Sequence, residues 1–235
     1  MSVSVKVYDW PNVIPSKQLF FSGGQAFEGG FTSGGAKILT PEPGGRSFLS
    51  VEFGYQKHGS TDTSISWLCS KIANGSIFRV PIVKTPQLVS LPDLGITGAP
   101  ELAGVPWAAE GLIPAHPWDN GQNWAYEVGA LAASIALEGA VTLTLDMGDL
   151  EPALRHGHVI GHGDVPYLVD DIEYDGQIAT ITVDPPLRAD LSAGSYITFR
   201  PTMLCVADNP ENFRGLYEPA DLIKLGSARF IEAIV

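Results

Sequence analysis

Residues 155–183 read RHGHVIGHGDVPYLVDDIEYDGQIATITV, and this stretch decides the fold class. Its alternation of apolar and polar residues predicts strands at 156–160, 165–172 and 177–183, because alternation is typical of half-buried strands. The last two strands meet at Asp175-Gly176, a strong signal for a tight hairpin. Further strands are predicted at 141–145, 195–200, 203–207 and 228–235. Strands about ten residues apart with turn residues between them favour a sandwich or a small barrel.

The amino-terminal part combines strands with one helix. Strands are expected at 2–10, 17–23, 46–56 and 76–83, and the Gly-rich residues 22–36 predict a long hairpin or a flexible loop. A helix is predicted over 61–74, because apolar residues recur on one helical face. These residues are Ile65, Leu68, Cys69 and Ile72. Ser60, Thr61 or Asp62 can cap its first turn, and Gly75 stands where a C-terminal cap belongs.

These elements predict a mainly β (α+β) protein in three parts. Residues 1–83 form an N-terminal β-sandwich-like domain with one helix, and residues 128–235 form a small β-barrel module whose last strand returns to the core. Residues 84–127 are expected to be a long loop, since they are rich in proline and lack periodicity. The loop carries Trp107, Trp118 and Trp124. Indole rings stack on sugars and also anchor protein interfaces, so both uses stay open.

The amino-acid composition of the chain disfavours several classes of function. The net charge is −12, whereas proteins that grip nucleic acid gather lysine and arginine on one surface. We therefore expect no specific nucleic-acid binding. The first ten residues lack the pattern of a signal peptide, and no apolar run reaches the about 20 residues of a membrane helix. Cys69 and Cys205 stand in apolar contexts, which is typical of buried thiols in a protein made in a reducing cytoplasm.

Two groups of residues are candidates for binding ions. Asp164, Asp170, Asp171, Glu173 and Asp175 lack the DxDxDG spacing of a calcium loop, which favours a solvated acidic surface. His156 and His158 fall on one side of an extended strand, and His162 can swing towards them as a zinc ligand. The metalloprotease motif HExxH is absent from the sequence, and the glycines around these histidines favour a strand and a tight turn. We therefore expect no metal or cofactor.

The chain resembles the tail-tip structural proteins (minor-tail or distal-tail) of long-tailed bacteriophages and prophages. One part of the resemblance is the helix Ile65–Ile72 with Gly75 and the strand SIFRVPIV. The other is the barrel stretch from Gly157 to Gly161, the Asp175-Gly176 hairpin, the PPLR motif that ends at Arg188, and the turn around Gly194. Together they cover about half of the chain.

The resemblance implies a structural virion protein without catalytic residues, made in the host cytoplasm and placed at the tail tip. Such proteins join the tail tube to the baseplate or adsorption apparatus, so the expected partners are copies of itself and neighbouring tail-tube and tail-tip proteins. A hexameric ring is expected, with a trimer as the rival. Two other functions stay open: a carbohydrate-binding module that uses the three tryptophans, and a metal-dependent hydrolase at the histidines. GxSxG and the phosphate-loop motif are absent from the sequence.

Overall fold

The computed structural model describes residues 6–11, 13, 15–23, 26–31, 33–34, 37–41, 45–57, 60–82, 129–148, 154–210, 213, 215–218 and 222–234. The predicted loop at 84–127 and its three tryptophans lie outside these residues.

Strands predominate among the described residues and one helix accompanies them there, so the predicted mainly β fold is confirmed. The strands of the amino-terminal part are β1 (Val7–Asp9), β2 (Lys17–Phe21), β3 (Ala26–Phe31), β4 (Lys37–Pro41), β5 (Phe48–Glu52), β6 (Tyr55–Lys57) and β7 (Ile77–Pro81), and the helix is α1 (Ser60–Ala73). The later strands are β8 (Gly129–Ala132), β9 (Thr142–Asp146), β10 (Val159–His162), β11 (Val165–Asp175), β12 (Ile178–Asp184), β13 (Tyr196–Thr198), β14 (Thr202–Ala207), β15 (Gly215–Glu218), β16 (Leu222–Leu225) and β17 (Ser227–Glu232).

The first sheet has six strands in the order β1-β7-β14-β17-β5-β2. β1 runs parallel to β7, and the other neighbouring pairs are antiparallel. The sheet draws strands from both ends of the chain, since β14 and β17 return to it after the barrel. Its core face packs against α1, which supplies the second layer. The buried residues of this cluster include Leu49, Val51, Phe78, Val80, Met203 and Phe230.

The predicted helix is confirmed. Ile65, Leu68 and Ile72 of its apolar face are each at most 3% exposed, whereas Cys69, predicted as a buried thiol on the same face, is only half-buried. The helix ends in a Schellman motif: the Gly75 N–H donates to the Ile72 carbonyl (3.0 Å) and the Ser76 N–H to the Lys71 carbonyl (3.1 Å). Gly75 adopts a φ of 66°, which glycine reaches without the strain that a Cβ would bring.

The second sheet is a closed barrel in the order β10-β11-β12-β9-β8-β13. Alternation places one row of side chains inside, as the burial of Leu143, Leu145 and Ile181 shows. The outer row of β12 and β9 carries threonines, with Thr180 paired to Thr144 and Thr182 to Thr142. The remaining described strands form a three-stranded sheet, β15-β16-β6, and the hairpin β3-β4 at the Gly-rich stretch.

The barrel differs from the sequence-based prediction at its start. The strand predicted at 156–160 begins only at Val159, because residues 156–157 form a turn in which Gly157 has a φ of 78°. β8, β15 and β16 were not predicted as strands. All of them are short, and the apolar run that contains β8 does not alternate.

Candidate functional site

The tip of the β10–β11 hairpin rests on the six-stranded sheet through Asp164. Arg79 of β7 donates to both carboxylate oxygens, Nε to Oδ1 at 2.7 Å and Nη2 to Oδ2 at 3.0 Å. The Thr202 hydroxyl donates to Oδ1 at 2.7 Å. Hydrogen bonds from Arg79, and a weaker one from Thr202, hold the pKa of Asp164 below its usual value. Asp164 is therefore a structural contact between barrel and sheet, which corrects its placement on an open acidic surface.

The other predicted acidic residues do lie on the surface. Asp170, Asp171, Glu173 and Asp175 are all exposed on β11. The register of β11 shifts between Val169 and Asp171, and from there Asp171, Glu173 and Asp175 point to one side of the strand. Their cross-strand partners on β12 are Thr182, Thr180 and Ile178. The outer side of the β11–β12 hairpin thus combines a carboxylate row with hydroxyls.

The three histidines have separate hydrogen-bond partners. Nδ1 of His156 donates to the Asp170 carbonyl (2.9 Å), and Nδ1 of His162 donates to the Tyr196 carbonyl (3.2 Å). His158 Nδ1 accepts from the Arg155 N–H at 3.1 Å. His156 lies in the turn before β10, so the strand that would align it with His158 is not formed there. Among the described residues no group of three or more His, Cys, Asp or Glu is placed to hold a metal ion.

A second joint between barrel and sheet forms around Arg188, the last residue of the PPLR motif. Its Nη2 donates to the Gly45 carbonyl (2.6 Å) and to Glu232 Oε2 on β17 (3.1 Å). The same Glu232 oxygen accepts the Ser47 N–H at 2.8 Å. The Glu232 side chain is only 7% exposed, so these two donors stabilise a carboxylate that has little contact with water. The sequence marks PPLR as a motif but gives no sign of Glu232, because 44 residues separate the pair.

Sequence reasoning missed five exposed apolar residues on the outside of the barrel. Together they are called the barrel patch, and its members are Leu131, Ile135, Leu137, Val141 and Tyr196. Ala136 forms an isolated bridge with Leu191 and packs against the barrel core, so its neighbours Ile135 (71% exposed) and Leu137 (65%) are left outside. Leu131 and Tyr196 are cross-strand partners on β8 and β13. The available sequence signal was the apolar run 131–137.

Trp107, Trp118 and Trp124, predicted as sugar or subunit contacts, lie outside the described residues. Cys205 is buried on the sheet, and burial raises the pKa of its thiol above the ordinary value. The thiolate, which is the reactive form, is therefore disfavoured at this position.

No protein-family model matches the chain, and a search of curated proteins gives no match. None of the helices in the described residues combines the length and apolarity needed to cross a membrane. Function is therefore inferred from the residues and their geometry.

Proposed function

We propose that this protein is a structural component of a phage tail tip, where a ring of its copies joins the tail tube to the baseplate or adsorption apparatus. The observation that carries the proposal is the barrel patch. Five large apolar side chains remain 37–71% exposed on a barrel whose own core is filled. Exposed apolar surfaces of this kind mark sites of protein association.

The closed barrel favours assembly through side chains. A closed sheet has no unpaired edge along its strands, so a neighbour cannot extend it by adding a strand. Removing one large apolar side chain from water contributes about 1.5–3 kcal/mol before the costs of association are subtracted. A few such residues suffice when each subunit contacts two neighbours in a closed ring, since the contacts act together.

The negative charge of the chain agrees with a position in which DNA passes close to the protein without binding to it. Asp170, Asp171, Glu173 and Asp175 give the β11 side of the barrel a dense negative charge. If this side lines the channel of the ring, the wall repels the phosphate backbone of a passing genome. Neighbouring tail-tube and tail-tip proteins are the other proposed partners.

Electron microscopy of intact particles, together with native mass measurement of the purified chain, tests the proposal. We expect a ring at the tail tip and a defined oligomer in solution. A chain that stays monomeric at high concentration and is missing from virions would overturn the proposal. Glycan binding by the isolated monomer would favour the carbohydrate-binding alternative. Stoichiometric zinc, lost when His156, His158 and His162 are replaced by alanine, would favour the metal-dependent hydrolase.

A further inference from the structure

A positively charged aromatic cluster lies at the β1 edge of the six-stranded sheet. The ammonium groups of Lys6 and Lys71 lie 4.9 Å and 4.8 Å from the centre of the Tyr8 ring. Trp67, one helical turn before Lys71, meets Tyr8 edge-on with ring centres 5.6 Å apart. The group Lys6, Tyr8, Trp67 and Lys71 is called the lysine–tyrosine cluster.

The two lysines stand out in a chain of net charge −12. Within the described part of the chain, neither ammonium forms an ion pair with a carboxylate, whereas Lys17 pairs with Glu52 at 3.1 Å. Hydrogen bonding to Lys71 and the positive charge of both lysines lower the pKa of the Tyr8 phenol, although partial desolvation opposes them. The cluster therefore offers an aromatic surface with two cations that no carboxylate of the described residues pairs with.

The barrel patch has the opposite character. Exposed carboxylates flank it: Asp146 of β9 is the cross-strand partner of Leu131, and Glu138 follows Leu137. No lysine or arginine of the described chain pairs with either carboxylate. The patch is thus apolar with a negative border, whereas the lysine–tyrosine cluster is aromatic with two ammonium groups, and the nearby Asp9 carboxylate is paired with Arg79.

We infer that the barrel patch of one copy docks on the lysine–tyrosine cluster of a second copy. The inference rests on the proposed ring and names the contact that would build it. Two different surfaces of one chain then meet head to tail, and such contacts generate rings when the rotation closes. A carboxylate at the border of the patch would meet the ammonium groups, while the apolar and aromatic side chains supply the buried area.

The remaining exposed apolar residues offer no comparable reason for self-docking. Leu19 and Phe21 on β2 lie on the other edge of the sheet. The charges on that side are already paired within the chain, Lys17 with Glu52 and Arg229 with Asp208 at 3.6 Å. Charge complementarity therefore selects the β1 edge.

Charge reversal and charge exchange on the full-length chain test the contact. Lys6→Glu with Lys71→Glu should weaken self-association about tenfold or more, and Glu138→Lys with Asp146→Lys should do the same. Mixing the two reversed proteins should restore mixed oligomers, because opposite charges face each other at every contact when the two variants alternate. Light scattering and native mass spectrometry give the masses, and circular dichroism checks that each variant is folded.

Matched controls reverse the charge of residues that lie outside the proposed contact. Lys17→Glu on the β2 edge and Glu173→Lys on β11 should leave the oligomer mass unchanged. If wild-type chains associate but the paired reversals do not weaken association, the docking inference fails and the ring proposal stands. If the reversals leave self-association intact but prevent incorporation into virions, a different tail protein occupies these surfaces and the inference is overturned. If wild-type chains never associate, the docking inference fails, and the tail-tip proposal fails with it when the chain is also missing from virions.

Discussion

The Asp164 carboxylate connects the barrel to the six-stranded sheet. A single substitution measures its contribution to the free energy of unfolding. Asp164→Asn keeps the size of the side chain but removes the charge that Arg79 contacts through two nitrogens. We expect the free energy of unfolding to fall by about 1–2 kcal/mol, the range for a partly buried, charge-assisted pair. Urea titration at neutral pH measures it. Asp9→Asn is the control, because Asp9 also contacts Arg79 (2.8 Å) but is 81% exposed, and its loss should cost less than about 0.5 kcal/mol.

The same residue predicts a pH dependence. The pKa of Asp164 is lower in the folded chain than its ordinary value of 3.8. A carboxyl group with a depressed folded pKa stabilises the fold above its unfolded pKa, and this contribution is lost as the pH falls through the folded pKa. The stability gap between wild type and Asp164→Asn should therefore be full at neutral pH and shrink in acid below about pH 4. A gap that stays constant from neutral pH to pH 3 would contradict this assignment.

At the scale of single residues, the sequence could not assign the role of Asp164. It stands near four other acidic residues in the chain, so local reasoning groups it with them. Its partner Arg79 is 85 residues earlier, and only the folding of β10 and β11 onto the sheet brings the two together. The histidines show the converse, since their proximity in sequence does not give them a common partner in space.

Among the elements, α1 is held in place by packing against the sheet. Leu68 is fully buried at the centre of its apolar face. Leu68→Ala should lower the free energy of unfolding by about 2–4 kcal/mol, because it removes buried apolar volume and leaves a cavity. Ser66→Ala, an exposed position on the same helix, should change it by less than about 0.5 kcal/mol. Thermal and urea unfolding of both variants check the difference, and equal losses would mean that the helix does not pack on the sheet as described.

Elements with local signals could be predicted, and elements without them could not. The period of α1, the cap at Gly75 and the hairpin at Asp175-Gly176 depend on neighbouring residues, and all agree with the structure. The start of β10 was misplaced, because Gly157 turns the chain at a point where the alternating pattern continues. The barrel patch was missed for another reason. An apolar run looks like core, and only the closure of the barrel decides which of its residues remain outside.

At the scale of the whole molecule, two ion pairs connect the barrel to the sheet. The pair of Arg188 and Glu232 is more deeply buried than the pair of Arg79 and Asp164. Glu232→Ala removes a carboxylate that the Arg188 guanidinium, 21% exposed, contacts at 3.1 Å. We expect the free energy of unfolding to fall by about 3 kcal/mol, because a mostly buried ion pair is broken and the Ser47 N–H loses its acceptor. Arg188→Met combined with Glu232→Ala should recover part of that loss, and urea unfolding of the single and double variants measures the coupling. Additive losses would show that the two side chains do not act as a pair.

The arrangement of surfaces around the barrel leads to a prediction for the assembled ring. The barrel patch includes side chains of β8 and β13, whereas Asp170, Asp171, Glu173 and Asp175 lie on β11, which β12 and β9 separate from β8 and β10 separates from β13. A contact that buries the patch can therefore leave the carboxylates open, and cyclic symmetry repeats them around one axis. We expect a map of the assembled protein to show a ring, hexameric with a trimer as the rival, whose channel wall carries the β11 side of each barrel.

DNA added to the ring should show no binding at physiological salt, because the wall and the phosphates carry like charge. Replacing Asp171, Glu173 and Asp175 by lysine should create salt-sensitive DNA retention without altering the ring. A channel lined by basic residues would contradict the electrostatic part of this prediction and leave the ring itself intact.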